Sequence, residues 1–120
     1  MNWYVAKLVF NVVTGNGNHT PQFDEQIRLI EAEDAHQAFF KARFLGASEQ
    51  DEFMTEDLND VRWIFVDVCE LKPIEQFVHG LELHSRIHEA DQSSSYIRFV
   101  HHRAQTILQQ VEQPQAASIP

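Results

Sequence analysis

WYVAKLVFNVV, residues 3–13, decides the fold, because it is apolar on both of its alternations. Tyr4, Ala6, Leu8, Phe10 and Val12 point to one face of a strand. Trp3, Val5, Val9 and Val13 point to the other, and only Lys7 and Asn11 interrupt them. A strand with one wet face alternates apolar with polar residues, whereas a strand covered on both sides does not. The second face therefore needs a cover: another helix, a second subunit or a ligand.

Downstream, Thr14-Gly15-Asn16-Gly17-Asn18-His19-Thr20-Pro21 is a polar loop of turn formers. A phosphate-binding loop would need a further glycine and a helix N-terminus directly after it; here a proline and a strand follow, so the loop reads as a hairpin. In FDEQIRLIEA, residues 23–32, Phe23, Ile27 and Leu29 share one face while Asp24, Gln26 and Arg28 share the other. That is an edge strand with one wet side. Glu33 and Asp34 then open a helix, since acids suit its N-terminal turn. Its buried stripe is Ala35, Ala38, Phe39, Ala42 and Leu45, widened by Phe40 and Phe44, with Gly46 as its stop. Ser48 with Asp51 starts a short turn into an acidic loop, Asp51 to Asp60.

VRWIFVDVCEL, residues 61–71, is again two-faced: Val61, Trp63, Phe65, Cys69 and Leu71 oppose Ile64, Val66 and Val68. After Lys72-Pro73 and a connector, Gly80 introduces LELHSRIHEA, residues 81–90, in which Leu81, Leu83 and Ile87 alternate with Glu82, His84, Arg86 and His88. This reads as a fourth, half-wet strand; a helical reading of Glu82 to Glu89 stays open, because period alone does not decide short segments. Ser93 to Ser95 cap a second helix with an apolar side of Tyr96, Ile97, Val100, Ala104, Ile107, Leu108 and Val111. Pro114 ends it, and residues 114–120 form a flexible tail.

The predicted fold class is α+β, a β-β-α-β-β-α chain whose antiparallel four-stranded sheet runs second, first, third, fourth strand (residues 23–32, 3–13, 61–71 and 81–90). The crossover helix covers one face, and the C-terminal helix or a dimer partner covers the other. The 120 residues are expected to form one domain, residues 1–113, with an ordinary hydrophobic fraction of 43%. A formal charge of −9 without a Lys/Arg cluster argues against a nucleic-acid partner. Cys69 is the only cysteine, which rules out an internal disulfide and CxxC motifs. No apolar run approaches the roughly 20 residues of a bilayer span, so no membrane partner is expected. The N-terminus enters a strand at once without signal-peptide character, which points to the cytoplasm. Asn18-His19-Thr20 then matches the glycosylation pattern by chance.

Trp3-Tyr4, Glu25, Ala38 with Ala42, Val68 to Leu71 and Gly80 to Ser85 occur here in one combination. Through them the chain, from Trp3 to Ile87, resembles a small bacterial family known only as domain of unknown function 4288. The resemblance implies this fold and a bacterial, intracellular setting. It implies no activity and no catalytic residues.

His84 and His88, with Glu82 nearby, are the one metal-like spacing. Ser85-Arg86 follow His84, so this is not HExxH, and Arg86 would repel a cation. His101 and His102 point about 100° apart on a helix. Neither metal nor cofactor is expected. Cys69 reads as an inert thiol in a buried strand, no serine has a nucleophile frame, and the paired carboxylates fall in loops or caps. The remaining constellation lies on the second sheet face. There Trp3, Lys7, Arg28, Trp63, Asp67, His84 and Arg86 would form a mixed aromatic and charged binding surface, with Lys7 and Asp67 as a pair. These residues point to a non-catalytic interaction or regulatory module that self-associates or binds a protein partner. The alternative is a small-molecule binder or weak hydrolase using Lys7, Arg28, Asp67 and His84.

Overall fold

In the computed structural model, which describes residues 1–54 and 60–113, the chain runs β1 (Asn2–Thr14), β2 (Gln22–Ala32), α1 (Ala35–Ser48), β3 (Asp51–Met54), β4 (Asp60–Ile74) and α2 (Ser93–Glu112). It divides into two units, Met1–Leu83 with the sheet and α1, and His84–Pro120 with α2. Among the described residues no helix is long and apolar enough to cross a membrane.

β1 and β2 form an antiparallel hairpin whose register is unbroken from Asn2 opposite Ala32 to Val12 opposite Gln22. Gly15 and Gly17 adopt φ of 60° and 84°, the left-handed region that a tight connection uses and that side chains disfavour. His19 braces the turn. Its Nε2 accepts from the Thr14 N–H at 3.0 Å, and its Nδ1 lies 2.8 Å from the Thr20 carbonyl.

The sheet is antiparallel and four-stranded, as its α+β pattern predicts, but its order is β2-β1-β4-β3. Residues 61–71 do lie beside the first strand, inside β4. The fourth strand is not residues 81–90, which follow Gly80 in irregular backbone. It is Asp51–Met54, expected as part of an acidic loop, which pairs with the start of β4 from Asp51 opposite Trp63 to Met54 opposite Asp60. Alternation marks a segment that could be a strand; a strand forms only where a neighbour offers its backbone. Residues 55–59 of that loop, and the tail from Pro114, lie outside the described residues.

α1 sits on the even-numbered face of β1. Asp34 caps it, its Oδ1 accepting from the Gln37 N–H at 2.8 Å. Ala38, Ala42 and Gly46, one turn apart, are its buried residues, and they pack on the core of Tyr4, Ala6, Leu8, Phe10 and Ile30. Small side chains let helix and sheet approach closely. Gly46 is not the helix stop: it lies within α1, and a Cβ there would run into the Phe65 ring. Phe40 and Phe44, expected to widen the buried stripe, are exposed.

β4 turns its apolar residues inward by an irregular route. Register shifts fall opposite Lys7/Leu8 and Val9/Phe10, leaving Cys69 and Val66 as extra residues. Each bulge inserts one residue and flips the alternation. Val61, Trp63 and Phe65 therefore face α1 together with Val68 and Leu71, across from Thr14, Val12, Phe10, Leu8 and Ala6. This corrects the simple alternation, which put Val68 with Ile64 and Val66 and made Cys69 a core residue. Cys69 is exposed.

α2 spans the expected segment, with Gln92 at its N-cap and Ser95 Oγ 3.2 Å from Gln92 Oε1. None of its described residues is buried.

Candidate functional site

Facing residues of an antiparallel pair lie on the same side of the sheet. Lys7 opposes Ile27 and Val9 opposes Glu25, so the face turned away from α1 carries Phe23, Glu25, Ile27 and Leu29 beside Val5, Lys7, Val9 and Asn11. β4 adds Ile74, Lys72, Glu70 and Ile64 to this open face. Phe23, Ile27 and Leu29 are 57%, 42% and 53% exposed, an unusual state for three large apolar side chains on one strand.

One end of the open face is closed over. Phe77 meets the Trp3 ring edge-on, with centroids 6.1 Å apart, and Val5 is buried. There Leu29, Phe77, Val78, Leu81 and Leu83 line an apolar groove of about 470 Å³. Gly80, at φ 84°, lets the chain turn beside it. The cover expected for the second face is thus supplied in part by the connector after β4.

Lys7 sits in the middle of this face. Its Nζ lies 3.1 Å from Glu25 on β2 and 3.6 Å from Glu70 on β4, so three adjacent strands contribute one cationic and two anionic groups. The hydrogen bond to Glu25 holds the ammonium above its usual range, helped by the charges of Glu25 and Glu70 and opposed by desolvation. This lysine is a structural cation rather than a free nucleophile.

The other expected site residues separate. Arg28 opposes Ala6, not Lys7, and therefore points to the α1 side. There it makes two hydrogen bonds to Glu49, at 2.6 and 2.8 Å. Trp63 also faces that side, packed against the core, with its Nε1 3.1 Å from Asp24 Oδ2. Asp67 does not pair with Lys7: Arg43 of α1 takes both its oxygens at 2.9 Å. Arg43 in turn lies over the Phe39 ring, 4.4 Å from its centroid. Hydrogen bonds from the guanidinium groups hold both the Glu49 and Asp67 carboxyls below their ordinary range. By register Asp67 stands opposite Val9, but its carboxylate is held by Arg43; Trp3 and Lys7 stay on the open face, and Arg28 and Trp63 do not. His84 and Arg86 lie in the irregular stretch that opens the second unit, where His88 stacks edge-on against Tyr96 at 5.2 Å.

Sequence reasoning missed Glu25 and Glu70, the partners of Lys7. Glu25 was legible as an acid on the apolar side of β2; Glu70 was missed because alternation assigns the odd-numbered residues of the 61–71 strand to the face of Lys7. Among the described residues, no three of His, Cys, Asp and Glu are grouped to hold a metal ion. A family model for a domain of unknown function (DUF4288) matches residues 3–85. The chain belongs to the DUF4288 family. Comparison with curated proteins and with solved structures returns no match. The DUF4288 match takes in the whole sheet, α1 and the groove-lining connector, while α2 lies beyond it. Both faces described above thus belong to the DUF4288 region.

Proposed function

We propose that this DUF4288 protein is a non-catalytic interaction module that self-associates through the sheet unit. The observation that carries this reading is the exposed apolar row Phe23, Ile27 and Leu29 on the open face, at one edge of the sheet. Apolar strand surface of this kind is characteristic of interfaces. The hydrolase or ligand-binding alternative requires Lys7, Arg28 and Asp67 to converge, and each instead spends its charge on a separate partner. A bacterial, cytoplasmic setting belongs to the same reading.

Size-exclusion chromatography with light scattering, over a range of concentrations, tests it. A mass at a multiple of the 14.0 kDa chain is expected. A monomer at the highest concentration reached overturns the reading.

A further inference from the structure

The two edges of the sheet are built differently. β3 closes one edge with 4 residues, whereas β2 forms the other with 11. A long edge strand presents a row of backbone donors and acceptors, and proteins that stay apart blunt such edges with prolines, lysines, bulges or short strands. β2 has no proline, no lysine and no register shift against β1.

We infer that β2 pairs with β2 of a second copy, antiparallel about a two-fold axis at Gln26, so that two sheets become one. This rests on the self-association proposed above and names its partner and surface. The charges favour one register. With Gln26 opposite its own copy, Asp24 faces the partner's Arg28, and the two-fold axis repeats that pair. On the open face, Phe23 comes opposite the partner's Leu29, also twice, which covers two of the exposed apolar side chains. Opposite charges and apolar pairs directly across an antiparallel ladder stabilise it; like charges there destabilise it. Moving the axis to Glu25 sets Glu25 against itself. Moving it to Ile27 breaks the Asp24–Arg28 pair and sets Phe23 opposite Glu31, whereas the axis at Gln26 sets only Glu25, already held by Lys7, opposite an isoleucine. Moving it to Arg28 sets Arg28 against itself and Glu25 against Glu31.

The side chains on the α1 face of β2 are already ordered for this register. Gln26 Nε2 donates to Asp24 Oδ2 at 2.7 Å, and Arg28 Nη1 donates to Gln26 Oε1 at 2.9 Å. Acid, amide and guanidinium form a ladder whose inverted copy sets acid beside guanidinium, although Arg28 also holds Glu49 and would share its charge between the two carboxylates. The paired stretch ends at Ile30, just before Glu31, whose carbonyl already accepts from Lys41 Nζ at 2.8 Å. The symmetry is that of a closed, isologous dimer.

The test uses the full chain in light scattering and in cysteine cross-linking. Asp24→Arg and Arg28→Asp should each weaken dimerisation about tenfold or more. An equimolar mixture of the two variants should associate again, because each then offers the charge the other lacks. Asp24→Arg loses the contact to Trp63 and Arg28→Asp the pair to Glu49, so a second measurement that leaves both in place accompanies them. In a Cys69→Ser background, Gln26→Cys should oxidise to a covalent dimer, since residues on the axis face each other within disulfide reach. Phe23→Cys in that background should not. A dimer untouched by both charge variants, with no Gln26→Cys disulfide, overturns this interface and leaves self-association standing. A monomeric wild-type chain overturns both.

Discussion

Gly46 of α1 and Phe65 of β4 touch so closely that the ring occupies the place a Cβ at residue 46 would take. Phe65 has little room to retreat, because Phe10 lies behind it with ring centroids 5.5 Å apart. Gly46→Ala would gain about 1 kcal/mol in helix propensity. Overpacking a fitted core costs about 1–3 kcal/mol. Since the clash is with a held ring rather than a flexible end, the loss should win. A lower urea midpoint with an unchanged slope is the expected outcome, and Phe65→Leu should recover part of it in the double variant. A stabilised Gly46→Ala protein would show that helix and sheet can separate freely.

The start of α1 supplies a second check. Asp34 satisfies the Gln37 N–H, and Gln37 Oε1 reaches back to accept from the Glu33 N–H at 2.7 Å. Two backbone donors are thereby satisfied at the N-terminus of the helix. Asp34→Ala should cost about 1 kcal/mol, Asp34→Ser much less, measured by the same denaturation. Equal losses for the two would mean that the cap carries no weight.

The sequence made α1, its Asp34 cap and the pairing of the first strand with residues 61–71 legible, because each depends on a local period or a local capping group. It misled wherever a non-local partner decides. LELHSRIHEA alternates as well as β2 does, yet joins no ladder among the described residues; Asp51–Met54 barely alternates, yet pairs with β4. The site suffered from the same cause. Strict alternation put Trp63 and Asp67 on the face of Lys7. The two bulges of β4 cancel, so Trp63 keeps the face of Leu71, which is the α1 side and not that of Lys7, and Asp67 is taken by Arg43. A bulge costs one residue and has no fixed sequence mark, so the face of every residue beyond it is unreadable without the register.

The ion pairs predict the shape of the stability curve against pH. Glu49 and Asp67 titrate lower in the fold than their ordinary values of 4.5 and 3.8, because Arg28 and Arg43 donate to them. Their contribution is therefore complete above those values and is lost as pH falls through the depressed ones. Lys7 runs the other way: raised above 10.5 by Glu25, it stabilises fully below that value, and its contribution fades as pH rises through the folded value. A plateau between these limits is expected, with an acid limb that Arg28→Gln and Arg43→Gln together make shallower. These pairs are solvent-accessible, so added salt should shrink the difference. An acid limb unchanged in the double variant would mean that other carboxylates set it.

Amide exchange can ask whether residues 3–13 occupy the place their two-sided apolar pattern implies. β1 is hydrogen-bonded to β2 along one side and to β4 along the other, and its even residues lie beneath α1. Opening it requires both ladders to part, so its amides should exchange only through global unfolding and should be the slowest in the chain. β3, a four-residue edge strand, and the stretch at residues 84–90, which is irregular backbone, should exchange fast. The informative comparison lies within the first hairpin. In a monomer the outward amides of β2 should exchange far faster than those of β1. Paired across a two-fold axis, residues 22–30 should slow toward the β1 rate as protein concentration rises, while β3 stays fast. Concentration-independent, rapid exchange along β2 would leave that edge open to water.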